Sequence, residues 1–159
     1  MKKLLTTLVM GATFLLASCG TKTTTVTSTT QENSVKQVQL TDGSETVEVN
    51  TNPKKIVTFD LGSADTLRAI GQGETIVGMP TKPLPTYIKD LGEKVQNVGS
   101  MKEPDIEAIA AMQPDLIIAS TRTKDFIPQL KEIAPTVIFN VDSKDYWGSV
   151  QKNVKSLAS

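Results

Sequence analysis

Short apolar runs that alternate with amphipathic segments are the feature of this 159-residue sequence that most restricts its fold. Continuous apolar runs predict buried strands at residues 55–59, 115–120 and 136–141, and weaker runs predict strands at 75–79 and 94–98. Helices are predicted at residues 63–70, 84–91, 105–112, 125–133 and 144–158. Because such strands pack with helices on both faces of the sheet, the sequence predicts an α/β fold with a mostly parallel sheet.

The two ends of this pattern need separate interpretations. Residues 35–40 and 45–49 alternate apolar and polar side chains around Asp42-Gly43, which predicts a β-hairpin. The last predicted helix keeps its apolar face almost to Ser159, with no glycine or proline to end it. We therefore expect the folded part, residues 35–159, to be truncated before a second lobe. A frayed C-terminal helix is the alternative.

The N-terminus has the layout of a bacterial export signal. Lys2 and Lys3 precede an apolar stretch that is too short for a spanning helix of about 20 residues. Residues 16–19 (Leu-Ala-Ser-Cys) resemble the lipobox, in which the cysteine is acylated and becomes the new N-terminus. We expect a signal peptide at residues 1–18, a lipid on Cys19 and a disordered Thr-rich tether at residues 19–34. An ordinary signal peptide with a chance cysteine is the alternative.

Composition excludes several classes of site. Cys19 is the single cysteine and histidine is absent, so intrachain disulfides, the usual zinc and copper sites, and Ser-His-Asp catalysis are all excluded. Loss of Lys2 and Lys3 would lower the 17 basic residues to 15 against 17 acidic ones, a formal charge of −2. No basic stripe is visible, so nucleic acid is not an expected partner.

Enzyme signatures are also missing from the sequence. It contains no G-x-S-x-G, no phosphate-binding G-x-x-x-x-G-K-[ST], and no G-x-G-x-x-G after a predicted strand. A hydrolase or a nucleotide-binding enzyme is therefore the weaker functional class, and we expect a binding protein without catalysis.

Four segments, taken in order, resemble one bacterial family. They are residues 53–59 with 64–71, residues 97–99 leading into 103–109, residues 113–118, and residues 133–137. Their order is similar to that in the N-terminal lobe of periplasmic-type binding proteins for iron–siderophore and cobalamin uptake. The Ser120-Thr121-Arg122 turn resembles the subgroup from Gram-positive bacteria that binds catecholate siderophores of the petrobactin and enterobactin type. The resemblance extends from Lys54 to Ser159.

This resemblance implies a two-lobed protein with a helical backbone, in which the ligand lies in the cleft between the lobes. It implies a lipid-anchored, extracytoplasmic component of an ABC importer on a Gram-positive cell, which delivers a ferric siderophore to membrane permease subunits. The siderophore's own oxygens would hold the iron, so we expect no cofactor and no protein metal ligand. A binder of cobalamin or of a ferric hydroxamate, or a surface lipoprotein with no transport role, is the alternative.

Arg122 is the main candidate for contact with such a ligand. It follows a predicted strand, and ligands of open α/β sheets bind beyond the carboxyl ends of the strands. A guanidinium suits the oxygens of a bulky anion, although a surface arginine at a helix start is the alternative. Helix N-termini expected at Gly62-Ser63 and Thr123-Lys124 would add backbone donors facing the same anion. Lys82 and Tyr87 are weaker candidates.

Two further pairs of residues, one acidic and one aromatic, are assigned roles outside ligand contact. By resemblance, Glu107 matches the acidic residue that docks on the permease, with Glu103 as the second choice. The alternative is that acidic side chains at 105 and 107 only stabilise the first turn of a helix. Tyr146 and Trp147 are predicted to pack into the core near the hinge.

Overall fold

The computed structural model describes residues 36–41 and 45–159. Its strands are β1 (Gln37–Thr41), β2 (Thr46–Asn50), β3 (Ile56–Thr58), β4 (Ile76–Met79), β5 (Gln96–Asn97), β6 (Leu116–Ala119) and β7 (Thr136–Ile138). Its α-helices are α1 (Leu61–Ala69), α2 (Lys89–Gly92), α3 (Ile106–Met112), α4 (Ile127–Ile133) and α5 (Tyr146–Leu157). Short 3₁₀ helices cover Gly73–Thr75, Thr86–Ile88 and Thr121–Phe126. The predicted signal peptide, Cys19, the tether and the Asp42-Gly43 turn lie outside the described residues.

Five strands form one parallel sheet in the order β5-β4-β3-β6-β7. The remaining two, β1 and β2, pair antiparallel from Gln37↔Asn50 to Thr41↔Thr46. The predicted α/β fold, its parallel sheet and the pairing of the hairpin strands are therefore confirmed. After β3 the chain adds strands on one side, and after β6 it adds β7 on the other. The strand order thus reverses between β3 and β6, at the centre of the sheet.

Different helices pack against the two faces of the sheet. Strand β6 is buried along its whole length, and its side chains alternate between the faces. Leu116 and Ile118 belong to the core that includes α1 and the hairpin, together with Leu67. Ile117 and Ala119 belong to the second core, which includes α3 and α4. Apolar burial on both faces is what a parallel sheet requires, and it explains the continuous run in the sequence.

Backbone amides at the start of β3 are held by the residue that precedes β6. One carboxylate oxygen of Asp115 accepts hydrogen bonds from the backbone N–H of Lys54 (2.8 Å) and of Lys55 (2.9 Å). At the other end, the Phe59 N–H donates to the Ile118 carbonyl at 2.7 Å. These contacts fix the register of the two central strands at both ends.

Two helix boundaries differ from the prediction for local reasons. The helix expected at 84–91 begins only at Thr86, as a 3₁₀ turn that continues into α2. Leu84 precedes Pro85, and the proline ring disfavours helical backbone in the residue before it. The helix expected at 125–133 is preceded by 3₁₀ structure from Thr121, because the Ser120 and Thr123 side chains form reciprocal caps around its first turn.

The predicted burial of Tyr146 and Trp147 is wrong. Their side chains are 65% and 67% exposed. Both lie in the first turn of α5, where the Asp145 carboxylate accepts a hydrogen bond from the Gly148 N–H at 3.1 Å. The residue of α5 that packs against the core is Leu157, near the other end of the helix. The first turn therefore stands outside the core that the sheet and α1 provide.

A tight turn links β5 to α3. Gly99 pairs with Pro104 in an isolated antiparallel bridge, and the Ser100 N–H donates to the Glu103 carbonyl at 2.9 Å. The Ser100 hydroxyl also accepts hydrogen bonds from the N–H groups of Lys102 (3.3 Å) and Glu103 (3.0 Å). Gly99 has φ +89°, and a Cβ at this position would lie 2.5 Å from the Glu103 carbonyl oxygen. The turn therefore requires glycine for its conformation and for the space beside it.

Substitution of Gly99 by alanine tests this requirement against a matched control. Gly71 also has a positive φ, +81°, but a Cβ there would have no neighbour within 4 Å. Gly71→Ala should cost about 1–2 kcal/mol of unfolding free energy, the cost of left-handed backbone for a residue with a Cβ. Gly99→Ala should cost at least about 1 kcal/mol more, because the steric clash adds to the same conformational cost. Urea denaturation of both variants measures the difference, and equal losses would contradict the assigned geometry.

Candidate ligand-binding site

An open pocket of about 750 Å³ lies at the carboxyl edge of the parallel sheet. Its walls come from the loops that follow four neighbouring strands. Leu61 follows β3, residues 80 and 82–85 follow β4, residues 100–102 follow β5, and Arg122 follows β6. The Lys82–Pro83 peptide bond in this wall is cis. We call this cavity the edge pocket.

A second cavity of about 300 Å³ adjoins the edge pocket and shares Leu61, Met101 and Arg122 with it. The rest of its lining comes from the two loops that follow β3 and β6, at Phe59, Asp60, Ser120 and Thr121. These are the two strands between which the strand order reverses. Open α/β sheets bind ligands at this position, because the loops diverge there and leave a crevice. The geometry therefore indicates one continuous binding surface over the centre of the sheet.

Three cationic side chains line the edge pocket: Lys82, Lys102 and Arg122. Each is exposed, and none of them forms an ion pair with any residue in the part of the chain that the structure describes. A concave surface with charges of one sign concentrates ions of the opposite sign. The three positive charges are therefore available to an anion that enters the pocket.

The remaining wall of the edge pocket is largely apolar. Leu61, Leu84 and Met101 are half-buried there, and Pro80 is buried. Apolar walls with a few well-placed charged groups are typical of small-molecule sites. The combination suits a bulky anion that also presents flat or apolar surface.

Backbone and side-chain contacts fix the turn that presents Arg122. The Ser120 hydroxyl accepts a hydrogen bond from the Arg122 N–H at 3.2 Å. The buried Thr123 hydroxyl accepts from the Ser120 N–H at 2.9 Å and donates to the Ser120 carbonyl at 2.8 Å. The Arg122 Nη1 itself donates to the sulfur of Met101 at 3.5 Å. The turn is thus rigid, while most donors of the guanidinium have no protein partner among the described residues.

Arg68, the other arginine of the chain, has a structural role instead. Its Nη1 donates to the Tyr87 carbonyl (2.7 Å) and to Asp90 (2.9 Å), and its Nη2 donates to Asp65 (2.6 Å). These bonds connect α1 to the segment around α2. Arg68 is therefore occupied by contacts within the protein, whereas Arg122 lines the edge pocket.

The predicted backbone donors at the two helix starts are not available to a ligand. Asp60 caps α1, because its carboxylate accepts from the N–H groups of Gly62 (3.3 Å) and Ser63 (3.0 Å) and from the Ser63 hydroxyl (2.6 Å). Thr123 and Lys124 lie inside a 3₁₀ helix that begins at Thr121, and the Thr123 N–H donates to the Ser120 carbonyl at 3.0 Å. The expectation that these positions face an anion is therefore wrong.

Of the other candidate residues, only Lys82 lines the edge pocket, where it joins Arg122. Tyr87 is 54% exposed in the Thr86–Ile88 turn and is not part of the lining. Glu103, which follows Lys102 in the β5–α3 turn, and Glu107, in the first turn of α3, are exposed and are not part of the lining. The ligand and docking roles of all these residues stay predictions.

Sequence reasoning missed Lys102 and Met101. Both lie in the turn after β5, which is a two-residue strand with a weak apolar pattern. The rule that selected Arg122, a position just beyond the carboxyl end of a strand, applies to these residues too. The weak strand pattern gave no clear strand end at which to apply this rule.

Residues 36–41 and 45–159 contain no group of three or more His, Cys, Asp or Glu side chains that could hold a metal ion. Among the same residues, no helix has the length and apolar character that are needed to cross a membrane.

Comparison with known proteins gives consistent matches. The curated petrobactin-binding protein YclQ of Bacillus subtilis is 35% identical over 145 residues, which are 90% of this chain and 45% of YclQ. The crystal structure of the iron uptake ABC transporter substrate-binding protein PiuA from Streptococcus pneumoniae has 59% identity and a TM-score of 0.74, over 77% of this chain and 43% of PiuA. The crystal structure of the catecholate-siderophore binding protein VctP from Vibrio cholerae has 26% identity and a TM-score of 0.70, over 77% of this chain and 44% of VctP.

The chain thus spans less than half the length of each of these relatives. A family model described as periplasmic binding protein matches residues 56–159. This range includes every strand of the parallel sheet and every loop that lines the edge pocket. The family resemblance expected from the sequence is confirmed, and the chain belongs to the periplasmic binding protein family.

Proposed function

We propose that this chain is the N-terminal lobe of a lipid-anchored substrate-binding protein that delivers a ferric siderophore, of the catecholate type, to an ABC importer. The observation that carries the proposal is the edge pocket, where an apolar wall lies beside three cations that form no ion pair with the described residues. The names of YclQ, PiuA and VctP, which concern petrobactin, iron uptake and catecholate siderophores, support the same class of ligand.

The chemistry of the pocket favours a catecholate complex over a ferric hydroxamate. Ferric ion bound by catecholate oxygens forms a complex with net negative charge and flat aromatic rings. The lysines and Arg122 match the charge, and Leu61, Leu84 and Met101 match the rings. A ferric trihydroxamate is neutral, and it would leave the three cations without counter-charges. Iron would stay with the siderophore's oxygens, so the protein would bind its cargo without catalysis and without a resident cofactor.

Transport also requires attachment to the outer side of the cell membrane and contact with permease subunits. Cys19 is the residue proposed to carry the lipid, and the names of two further relatives from Bacillus subtilis include the word lipoprotein. Glu107, exposed at the start of α3, is the proposed docking residue, with Glu103 as the second choice. A surface lipoprotein with no transport role would share the anchor but would not support siderophore uptake.

Replacement of Cys19 tests the anchor. Cys19→Ala removes the only thiol in the chain, so the variant should leave the membrane fraction for the culture medium. Labelled palmitate should appear in the wild-type protein and not in the variant. Cell fractionation with immunoblotting measures the distribution. Equal membrane retention of the two proteins would contradict the lipid anchor.

Replacement of Glu107 tests docking separately from binding. In a two-lobe chimera that adds the part of PiuA beyond this match, Glu107→Ala should lower uptake of ferric siderophore by cells. It should leave the dissociation constant of the purified chimera unchanged, because Glu107 does not line the edge pocket. Glu132→Ala, an exposed acidic residue on α4, is the matched control and should leave both quantities unchanged. Normal uptake by the Glu107 variant at normal expression would remove this residue from the docking surface.

Arg122 and the proposed second lobe are tested together. A ligand covered on one side keeps water around its charges, and a charge pair at about 4 Å is then worth only about 1 kcal/mol. The 159-residue chain should therefore bind a ferric bis-catecholate weakly. A chimera that adds the part of PiuA beyond this match should bind the same compound tightly, because a second lobe would remove that water.

In the chimera, Arg122→Ala should weaken binding about ten- to a hundredfold, equivalent to about 1.5–3 kcal/mol for a hydrogen bond to a charged group. Arg122→Lys should recover part of the loss, since it keeps the charge and loses the planar fork. Lys124→Ala is the matched control, because this exposed cation lies two residues away and is not in the pocket lining. Fluorescence titration measures all five proteins: the short chain, the wild-type chimera and its three variants. Tight binding by the short chain, or wild-type affinity in the Arg122→Ala chimera, would contradict the respective part of the proposal.

A further inference from the structure

The sulfur of Met101 occupies a distinctive place in the site. Met101 lines both the edge pocket and the smaller adjoining cavity, and it is half-buried between them. Its sulfur accepts a hydrogen bond from Nη1 of Arg122 at 3.5 Å. A thioether is a weak acceptor, so this contact leaves the guanidinium available to a stronger one. Met101 is therefore part of the apolar wall of the pocket and also contacts the guanidinium of Arg122.

The other described methionines have different surroundings. Met79 is fully buried in the core beside the sheet. Met112 packs against the second core, with its sulfur 2.9 Å from the position that a Cβ on Gly78 would take. Neither lines the edge pocket. Among these three residues, Met101 is thus the one that a small molecule in the edge pocket would reach first.

We propose that Met101 is a site of reversible oxidation by hydrogen peroxide, which lowers the affinity of the edge pocket for its anionic ligand. This inference rests on the proposed function. In the reaction, the thioether sulfur attacks one peroxide oxygen, an S–O bond forms, the O–O bond breaks and water leaves. The sulfur loses two electrons and the peroxide gains them. Methionine sulfoxide reductases reverse this step.

Oxidation changes the site in two ways. The sulfoxide oxygen is a strong acceptor on an atom that already lies 3.5 Å from Arg122 Nη1, so it competes with ligand oxygens for the guanidinium. The same oxygen makes an apolar part of the wall polar, which disfavours contact with an aromatic ring. The expected loss is about three- to tenfold in affinity, the range of one ordinary hydrogen bond. The effect is partial because Lys82 and Lys102 keep their charges.

The first test needs no siderophore. The chain is treated with dilute hydrogen peroxide, and peptide mass spectrometry follows the oxidation of each methionine. Met101 should be oxidised well before Met79, which is fully buried, and its oxidation is followed separately from that of the half-buried Met112. NMR of ¹⁵N-labelled protein should then show a shifted Arg122 guanidinium signal in the oxidised protein. Oxidation of Met101 no faster than that of Met79, or an unchanged Arg122 signal, would overturn the inference.

The second test measures binding. The PiuA chimera is titrated with a ferric bis-catecholate before peroxide treatment, after it, and after repair by methionine sulfoxide reductases. Wild type should lose about three- to tenfold in affinity and regain it on repair. Met101→Leu keeps the volume of the side chain without the sulfur, so its affinity should not respond to peroxide. Met112→Leu is the matched control and should respond as wild type does.

The outcomes separate the two proposals. An untreated chimera that does not bind the ferric bis-catecholate would contradict the proposed ligand, and the mass spectrometry and NMR results would still decide whether Met101 is the oxidation site beside Arg122. An untreated chimera that binds, with unchanged affinity once Met101 is oxidised, would overturn the proposed control of affinity alone. The same loss of affinity in Met101→Leu would place the sensitive residue elsewhere.

Discussion

The pairing of β3 with β6 determines where the rest of the lobe lies. Three parallel pairs, from Ile56↔Leu116 to Thr58↔Ile118, join the two strands at the centre of the sheet. The Asp115 carboxylate holds the backbone at the start of β3, so neither strand can slide along the other without losing two hydrogen bonds to a charged group. Because the chain leaves these strands in opposite directions, their loops separate at the carboxyl edge. The pocket is the consequence of this separation.

The spacing of apolar residues along the sequence made the architecture predictable. The continuous run at residues 115–120 could be placed in the middle of a sheet because a strand that is apolar on both sides needs cover on both faces. Helix ends were less predictable, since they depend on local chemistry such as the proline after Leu84 and the reciprocal caps of Ser120 and Thr123. The exposure of Trp147 could not be read from composition at all, because it depends on how far the neighbouring core extends.

The sequence predicted where the site lies, but it did not predict all of the residues that line it. A general property of open sheets pointed to Arg122, and Lys82 was found by its place in a proline-rich loop. Lys102 was missed because its strand has two residues and a weak pattern. The backbone donors at the start of α1 are not available to a ligand, since the Asp60 carboxylate accepts their hydrogen bonds. Which donors are satisfied is a property of three-dimensional contacts, and a sequence pattern does not contain it.

Each of the three pocket cations belongs to a different loop, and each loop follows a different strand. The buried residues that stabilise the sheet lie below these loops and share no side chain with the three charges. Mutation at one of these positions can therefore alter the charge presented to a ligand with little change in folding energy. In such an arrangement, selection can change the charge of the edge pocket one loop at a time. The same separation makes this lobe a practical scaffold on which the loops of related proteins can be exchanged.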